Sequence, residues 1–268
     1  MNRIRIAIHG AAGRMGQRLV ALAAMDPELQ VVAAIDAAGN PRLGEDAGIV
    51  AGVPPLAVPL SCKLEAEADL IVDFSTAQAV DGILDAAVAG RVPLVLATTG
   101  LDDRQTAKVR ASAATIPLLW APSMSLAVNL SMKLAELAAR ALRDRDADVE
   151  IVERHHRFKE DSPSGTALKF GRIVAEAMGQ SVHRHGRQGR PGKRPHGEIG
   201  YHAIRVGDNP GEHTVIFGLL GETIELTVKA TNRDCYASGA LSAGKFLVGK
   251  PPGLYSMNDV LGLGPGEQ

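Results

Sequence analysis

A chain of 268 residues, 46% hydrophobic and 22% charged with a formal net charge of -1, is long enough for one large core or two small ones. It carries no bulk charge that would recruit nucleic acid or an anionic membrane. Aromatics at 3% are too few for base-stacking platforms, and no apolar run reaches the roughly 18–20 residues of a spanning helix, so neither partner is expected.

The opening "MNRIRIAIHGAAG" enters a strand pattern at once, without the apolar stretch and cleavage site of a secretory signal. Cys62 and Cys235 read as reduced thiols, so the cytoplasm is the expected location. Short β-branched runs recur at 4–10, 31–36, 69–74, 93–100 and 116–122, apolar throughout, as strands buried on both faces are. Ala- and Leu-rich segments of helical spacing lie between them at 14–25, 79–90 and 102–114, which predicts a parallel sheet covered by helices. Residues 37–62 lack a clear pattern and read as a long connection. A long helix is expected over 125–148 with Ser125 as N-cap, then a strand at 149–156 and a helix at 164–179. Strands follow at 198–207, 211–221 and 222–231, with a last helix at 236–249. The fold class is therefore α/β: a Rossmann-like parallel-sheet domain joined to an α+β mixed-sheet domain. The Gly- and Pro-punctuated basic stretch 183–195 reads as a loop, either solvated or with arginines near an anionic ligand.

"IAIHGAAGRMGQRL" puts Gly10, Gly13 and Gly16 between the first strand and the first helix. Glycines there permit a tight turn and close approach of a pyrophosphate to a helix N-terminus. The spacing is G-x-x-G-x-x-G, with Ala12 where the commoner fingerprint has glycine. Asp36 ends the second strand twenty residues after Gly16, where a carboxylate accepts from the adenosine ribose hydroxyls and repels a 2′-phosphate. Ala37 beside it supplies no cation, so NADH is expected ahead of NADPH, with Arg14 the one nearby residue that favours the phosphate. "ATTG" (97–100) and "APSMS" (121–125) finish the fourth and fifth runs, at strand ends where open α/β sheets bind ligands.

"IVERHHRFKEDSPSGTA" (151–167) gathers His155, His156, Lys159 and a turn that starts a helix at Ser164, Gly165 and Thr166. Adjacent histidines on a strand point to opposite faces, and His183 with His185 lack a third ligand, so no metal is expected. An imidazole, a cation and free helix N–H groups suit protonation of a small carboxylate substrate beside a hydride donor.

The sequence closely resembles the dihydrodipicolinate reductase family of the diaminopimelate route to lysine. The resemblance spans almost the whole chain and rests on "GAAGRMG", "DFSTAQA", "ATTGL", "APSMSLAVN", "ERHHRFKEDSPSGTA", "RVGDNPGEH" and "DVLGL". It implies reduction of dihydrodipicolinate or its 4-hydroxy-tetrahydro form, with His155 as proton donor/acceptor and Lys159 as second proton donor. His156, Gly165 and Thr166 hold the substrate. Gly10, Ala11, Ala12, Gly13, Arg14, Met15, Asp36, Ala97, Thr98, Thr99, Ala121, Pro122, Ser123 and Met124 line the dinucleotide site. It further implies a dinucleotide-binding domain over 1–124, a substrate and oligomerisation domain over 125–235, a returning segment over 236–268, and a homotetramer. Ala12, Ala97, Ser123 and Met124 depart from the family's usual residues. Two rival readings of the same motifs are a dehydrogenase of another small imino or amino acid and a nucleotide-sensing protein without turnover.

Overall fold

Strands buried on both faces build the first sheet, and their residues sort by parity onto two cores. The structure, a computed structural model, describes residues 3–264. From the N-terminus run β1 (Ile4–His9), α1 (Arg14–Met25), β2 (Leu29–Ile35), α2 (Ala47–Ala51), β3 (Leu60–Ser61), β4 (Leu70–Asp73), α3 (Val80–Gly90), β5 (Leu94–Leu96), α4 (Asp103–Ala113) and β6 (Pro117–Trp120). Ile6, Ile8, Leu70, Val72 and Val95 face one core with Leu19 and Val20 of α1, while Ala7, Ile71, Leu94 and Leu96 face the other with Ile83, Leu84 and Val109. The expected connection 37–62 is not wholly irregular. Asp46 caps α2 by accepting from Gly48 and Ile49, and Leu60–Ser61 adds an edge strand to β2. Such short elements leave no periodic signal.

The chain then enters a second compact unit, residues 127–232. Its elements are α5 (Leu126–Leu142), β7 (Asp148–His155), α6 (Gly165–Met178), β8 (Val182–His185), β9 (Glu198–Arg205), β10 (Gly211–Leu219) and β11 (Glu222–Ala230). The strand order is β11-β10-β7-β9-β8, with β10 antiparallel to both its neighbours and β7, β9 and β8 mutually parallel. Alternation turns Val149, Ile151, Val215 and Phe217 inward onto Val128, Met132 and Ala135 of α5 and Phe170 and Val174 of α6. Two expectations are corrected here. The long helix stops at Leu142, where four charged residues in a row, Arg143 to Asp146, offer nothing to bury. The stretch 183–195 begins as strand β8, and its Arg187 and Arg194 pair with the sheet's own Glu150, Glu198 and Asp148.

From Arg233 the chain rejoins the first unit through α7 (Asp234–Leu247), β12 (Gly253–Tyr255) and α8 (Met257–Val260). Arg18 of α1 clasps Asp234 with two hydrogen bonds of 2.6 and 2.9 Å. Strand β12, not anticipated, pairs with β6 and completes a seven-stranded parallel sheet of order β12-β6-β5-β4-β1-β2-β3. The units therefore divide at 126/127 and 232/233, against 124/125 and 235/236 on the sequence reading. No helix among the described residues is long and apolar enough to cross a membrane.

Strand β1 lies between β2 and β4, so the order reverses there and a crevice opens at the carboxyl ends of β1 and β4. The glycine turn fills that position. A Cβ on Gly16 would come within 2.0 Å of the Gly10 carbonyl oxygen, a backbone atom that cannot step aside. Gly16→Ala is expected to cost about 3 kcal/mol, a fall in Tm of roughly 6–12 °C by calorimetry; an unchanged Tm would mean the turn opens freely.

Candidate active site

In the first unit, the chain turns at Gly10, whose φ of +78° suits glycine and whose added Cβ would meet the Phe74 carbonyl oxygen at 2.7 Å. Helix α1 starts after Gly13, which offers no side-chain cap, so the first-turn N–H groups of Arg14 and Met15 face outward from the turn. Arg14 and Met15 line a cavity of about 250 Å³ with Phe74, Ala97, Pro122, Ser123, Met124, Arg233 and Tyr236. Six of these were singled out from sequence. Phe74, Arg233 and Tyr236 were not: Phe74 stood only within a strand end and the "DFSTAQA" motif, and the other two lie at the start of α7, whose return to this unit is a tertiary fact. Ala11, Ala121 and Met124 are buried, and Thr99 is exposed.

Asp36 does more in the turn than its position suggested. Its Oδ2 accepts from the Ala12 N–H at 2.8 Å, and its Oδ1 accepts from Ala37 N and Asn40 Nδ2, both at 2.9 Å. The carboxylate is thus fixed against the glycine turn. Thr98 turns its side chain inward, donating to the fully buried Asp73, which also accepts from Ser75 Oγ at 2.6 Å and contacts His9 Nδ1 at 2.6 Å. The Thr98 hydroxyl is therefore engaged within the protein.

In the second unit, β7 turns Glu153 and His155 onto the same inward face as Val149 and Ile151. Glu153 is 1% exposed and would be costly to bury without partners. It has four. Arg205 donates from Nη1 to Oε2 and from Nη2 to Oε1, both at 2.8 Å; Ser164 N donates to Oε1 at 3.0 Å; His155 Nδ1 lies 2.6 Å from Oε2. Burial pushes the Glu153 carboxyl up, but Arg205, His155 and the Ser164 N–H outweigh it and hold it below the usual carboxylate range. Burial, offset only in part by Glu153, pushes the His155 imidazolium the other way, so its pKa lies below the usual histidine value.

Ser164 caps α6, its hydroxyl accepting from Ala167 N, which leaves the N–H groups of Gly165 and Thr166 as first-turn donors without intrahelical acceptors. His156 lies just past the strand, and its Nδ1 is buried without a hydrogen bond to any described residue. Lys159 Nζ pairs with Asp161 Oδ1 at 2.7 Å. His213, on β10, pairs in register with Glu153, contacts Ser164 Oγ through Nε2 at 3.0 Å and meets the His155 ring edge-on at 5.2 Å between centroids. The structure thus brings His155, His156, Ser164, Gly165, Thr166 and Lys159 into one unit with Glu153, Arg205 and His213. Glu153, Arg205 and His213 were not singled out from sequence; the place of Glu153 two before His155 on one strand face is the signal that could have found it, and Arg205 and His213 had only their motif. Among the described residues no group of His, Cys, Asp and Glu is placed to hold a metal.

Two family models match the chain: dihydrodipicolinate reductase, N-terminus, over residues 4–124, and dihydrodipicolinate reductase, C-terminus, over 127–261. The 4-hydroxy-tetrahydrodipicolinate reductase of Rhodopirellula baltica is 57% identical, over 97% of this chain and 96% of that protein. That of Alkalilimnicola ehrlichii is 46% identical, over 97% and 99%. Among solved structures, a dipicolinate-bound dihydrodipicolinate reductase from Paenisporosarcina sp. TG-14 superposes with a TM-score of 0.78 at 26% identity, over 95% of this chain and 97% of that one. An amine dehydrogenase from Mycobacterium smegmatis, at 14% identity and a TM-score of 0.64, shares the fold alone.

Burial, with a smaller push from His155, drives the His213 pKa down to about 4. Between an ordinary value near 6.5 and 4, the unfolded chain binds a proton there that the folded chain refuses, so stability is full above pH 6.5 and falls as pH drops toward 4. The loss should approach about 3 kcal/mol. Urea denaturation at pH 7, 6, 5 and 4.5 is expected to show it, with a shallower fall in His213→Gln; equal slopes in the two proteins would count against a neutral, buried His213.

Proposed function

The chain belongs to the dihydrodipicolinate reductase family, and on that premise we propose that it reduces 4-hydroxy-tetrahydrodipicolinate, or the dihydrodipicolinate derived from it, to tetrahydrodipicolinate in the diaminopimelate route to lysine. The observation that carries the reading is the juxtaposition in one unit of a buried imidazole, held at Nδ1 by Glu153, with the open first turn of α6 that follows it. His155 is the proton donor/acceptor, acting at Nε2. Gly165 and Thr166 hold a substrate carboxylate through their N–H groups, and the buried, unpartnered Nδ1 of His156 suits a second polar contact. Lys159 neutralises carboxylate charge and supplies the second proton once the substrate competes with Asp161 for its ammonium.

A nicotinamide cofactor, when bound, supplies the hydride. The uncapped N-terminus of α1, the Gly10 and Gly16 positions that admit no side chain, and the cavity beside Arg14 and Met15 fit its pyrophosphate. Gly10, Ala11, Ala12, Gly13, Arg14, Met15, Gly16, Ala97, Thr98, Thr99, Ala121, Pro122, Ser123 and Met124 form that site. Asp36 takes the adenosine ribose. Its carboxylate is anchored by three N–H groups and cannot swing away from a 2′-phosphate, while Ala37 offers no cation, which supports a preference for NADH over NADPH. A homotetramer assembled through this unit rests on the family resemblance, with the 44%-exposed Ile204 on the outer face of the mixed sheet as apolar surface to cover.

The test is NADH oxidation on mixing the protein with freshly generated substrate. His155→Gln should lower kcat about a hundredfold or more with little change in KM, and Lys159→Ala should worsen both. NADH should lead NADPH by roughly tenfold in kcat/KM, about 1.4 kcal/mol, with Ala37→Arg raising NADPH use. Equal kcat/KM for the two cofactors would refute the role given to Asp36, and near-native kcat in His155→Gln would refute the proton assignment.

A further inference from the structure

We propose that Glu153, clamped by Arg205, is the positioning residue of this site: it sets which nitrogen of His155 exchanges protons and fixes that atom relative to the carboxylate-binding turn. The proposal rests on the reading of His155 as proton carrier. Every partner of the Glu153 carboxylate must be a donor. Arg205 presents two N–H groups and Ser164 its backbone N–H, and a carboxylate held by these only accepts. The 2.6 Å contact from His155 Nδ1 is therefore an N–H donated to Oε2. In the neutral ring the lone pair then sits on Nε2, and protons enter and leave the ring there.

Two further features fit this assignment. A Cβ built on Gly211 would come 2.9 Å from His155 Nε2, so the residue beside that nitrogen has no side chain to cover it. And Oε1 of the same carboxylate accepts from Ser164 N, the N-cap of α6, so one residue ties together the strand bearing His155 and the first turn bearing the N–H groups of Gly165 and Thr166. Arg205 is itself fixed, because Nη2 also donates to the Asp161 carbonyl at 2.7 Å in the loop that leads to that turn. An ion pair placed only for stability would require neither the bond to His155 nor the bond to the cap.

The charged and titratable groups that face His155 are Glu153 from its own strand, Arg205 from β9, His213 from β10 and Lys159 from the following loop. Glu153 is the carboxylate among them that touches the ring, so Glu153→Gln leaves the imidazole beside two cations and a neutral ring. Its protonated form is then lost at lower pH. The fall of kcat on the alkaline side should move to lower pH, and kcat should drop about a hundredfold or more, the usual worth of a positioned acid or base. KM for the dicarboxylate should stay within about threefold, because the glutamine oxygen still accepts from Ser164 N.

The deciding measurement is independent of turnover: long-range 15N–1H imidazole spectra of the intact protein, with His155 assigned by its substitution. The native protein should show the Nδ1–H tautomer at His155, and Glu153→Gln, whose amide donates to Nδ1, should show Nε2–H. An Nε2–H tautomer in the native protein overturns the proposal even if Glu153→Gln fails to fold. So does a Glu153→Gln variant that folds and keeps both the native tautomer and the native pH profile. If the native protein shows the expected tautomer and its switch but reduces no substrate, the positioning role stands and the proposed reaction falls.

Discussion

A carboxylate 1% exposed to solvent, Glu153, is the constraint on which the second unit's site depends. Removing such a charge from water costs several kcal/mol unless its lone pairs are filled. The protein fills them from three directions: a guanidinium fork from β9, a backbone N–H from the cap of α6 and an imidazole N–H from the same strand. Removing any one of these donors would leave a buried charge underpaired, so the strand, the cap and the neighbouring strand are locked to one another by the need to keep it solvated by protein. The positions of His155 and of the α6 turn follow from that lock.

The first unit uses steric exclusion together with carboxylates for the same end. Its turn is shaped by steric exclusion, since a side chain at Gly10 or Gly16 would strike backbone. It is then pinned by Asp36, whose hydrogen bond to Ala12 N links the second strand's end to the middle of the turn. Ala12 keeps its N–H for this bond although it replaces the glycine of the commoner fingerprint, because the interaction uses backbone alone. The buried Asp73, with Thr98, Ser75 and His9 around it, similarly ties together the carboxyl ends of β1, β4 and β5, where the crevice opens.

Much of this is legible in the sequence. Helix α1 covers the span its spacing predicted, 14–25, and α6 begins at the Ser164–Gly165–Thr166 turn where a helix start was expected. The motif around His155 marked a stretch that the fold gathers into one unit with Glu153, Arg205 and His213. What stayed hidden were elements too short to carry a period, such as α2, β3 and β12, and the arginines of 183–195, whose acidic partners lie on other strands. The long helix was drawn too far because the charges of "RDRDAD" were read as its C-terminal end, whereas Arg143 to Asp146 have no apolar face to bury.

By itself, then, the sequence determined the alternation of elements, the two kinds of sheet, the glycine turn with its following carboxylate, and the cluster of proton carriers before a helix cap. These are local properties: periodicity, capping and steric permission act between residues a few positions apart. Only the tertiary structure decided that Arg205, 52 residues beyond Glu153, would fork it, and that His213 would pair with it in register. The partner of a buried charge is chosen by strand order and register, which depend on how all five strands share one hydrophobic face, and no window along the chain contains that information.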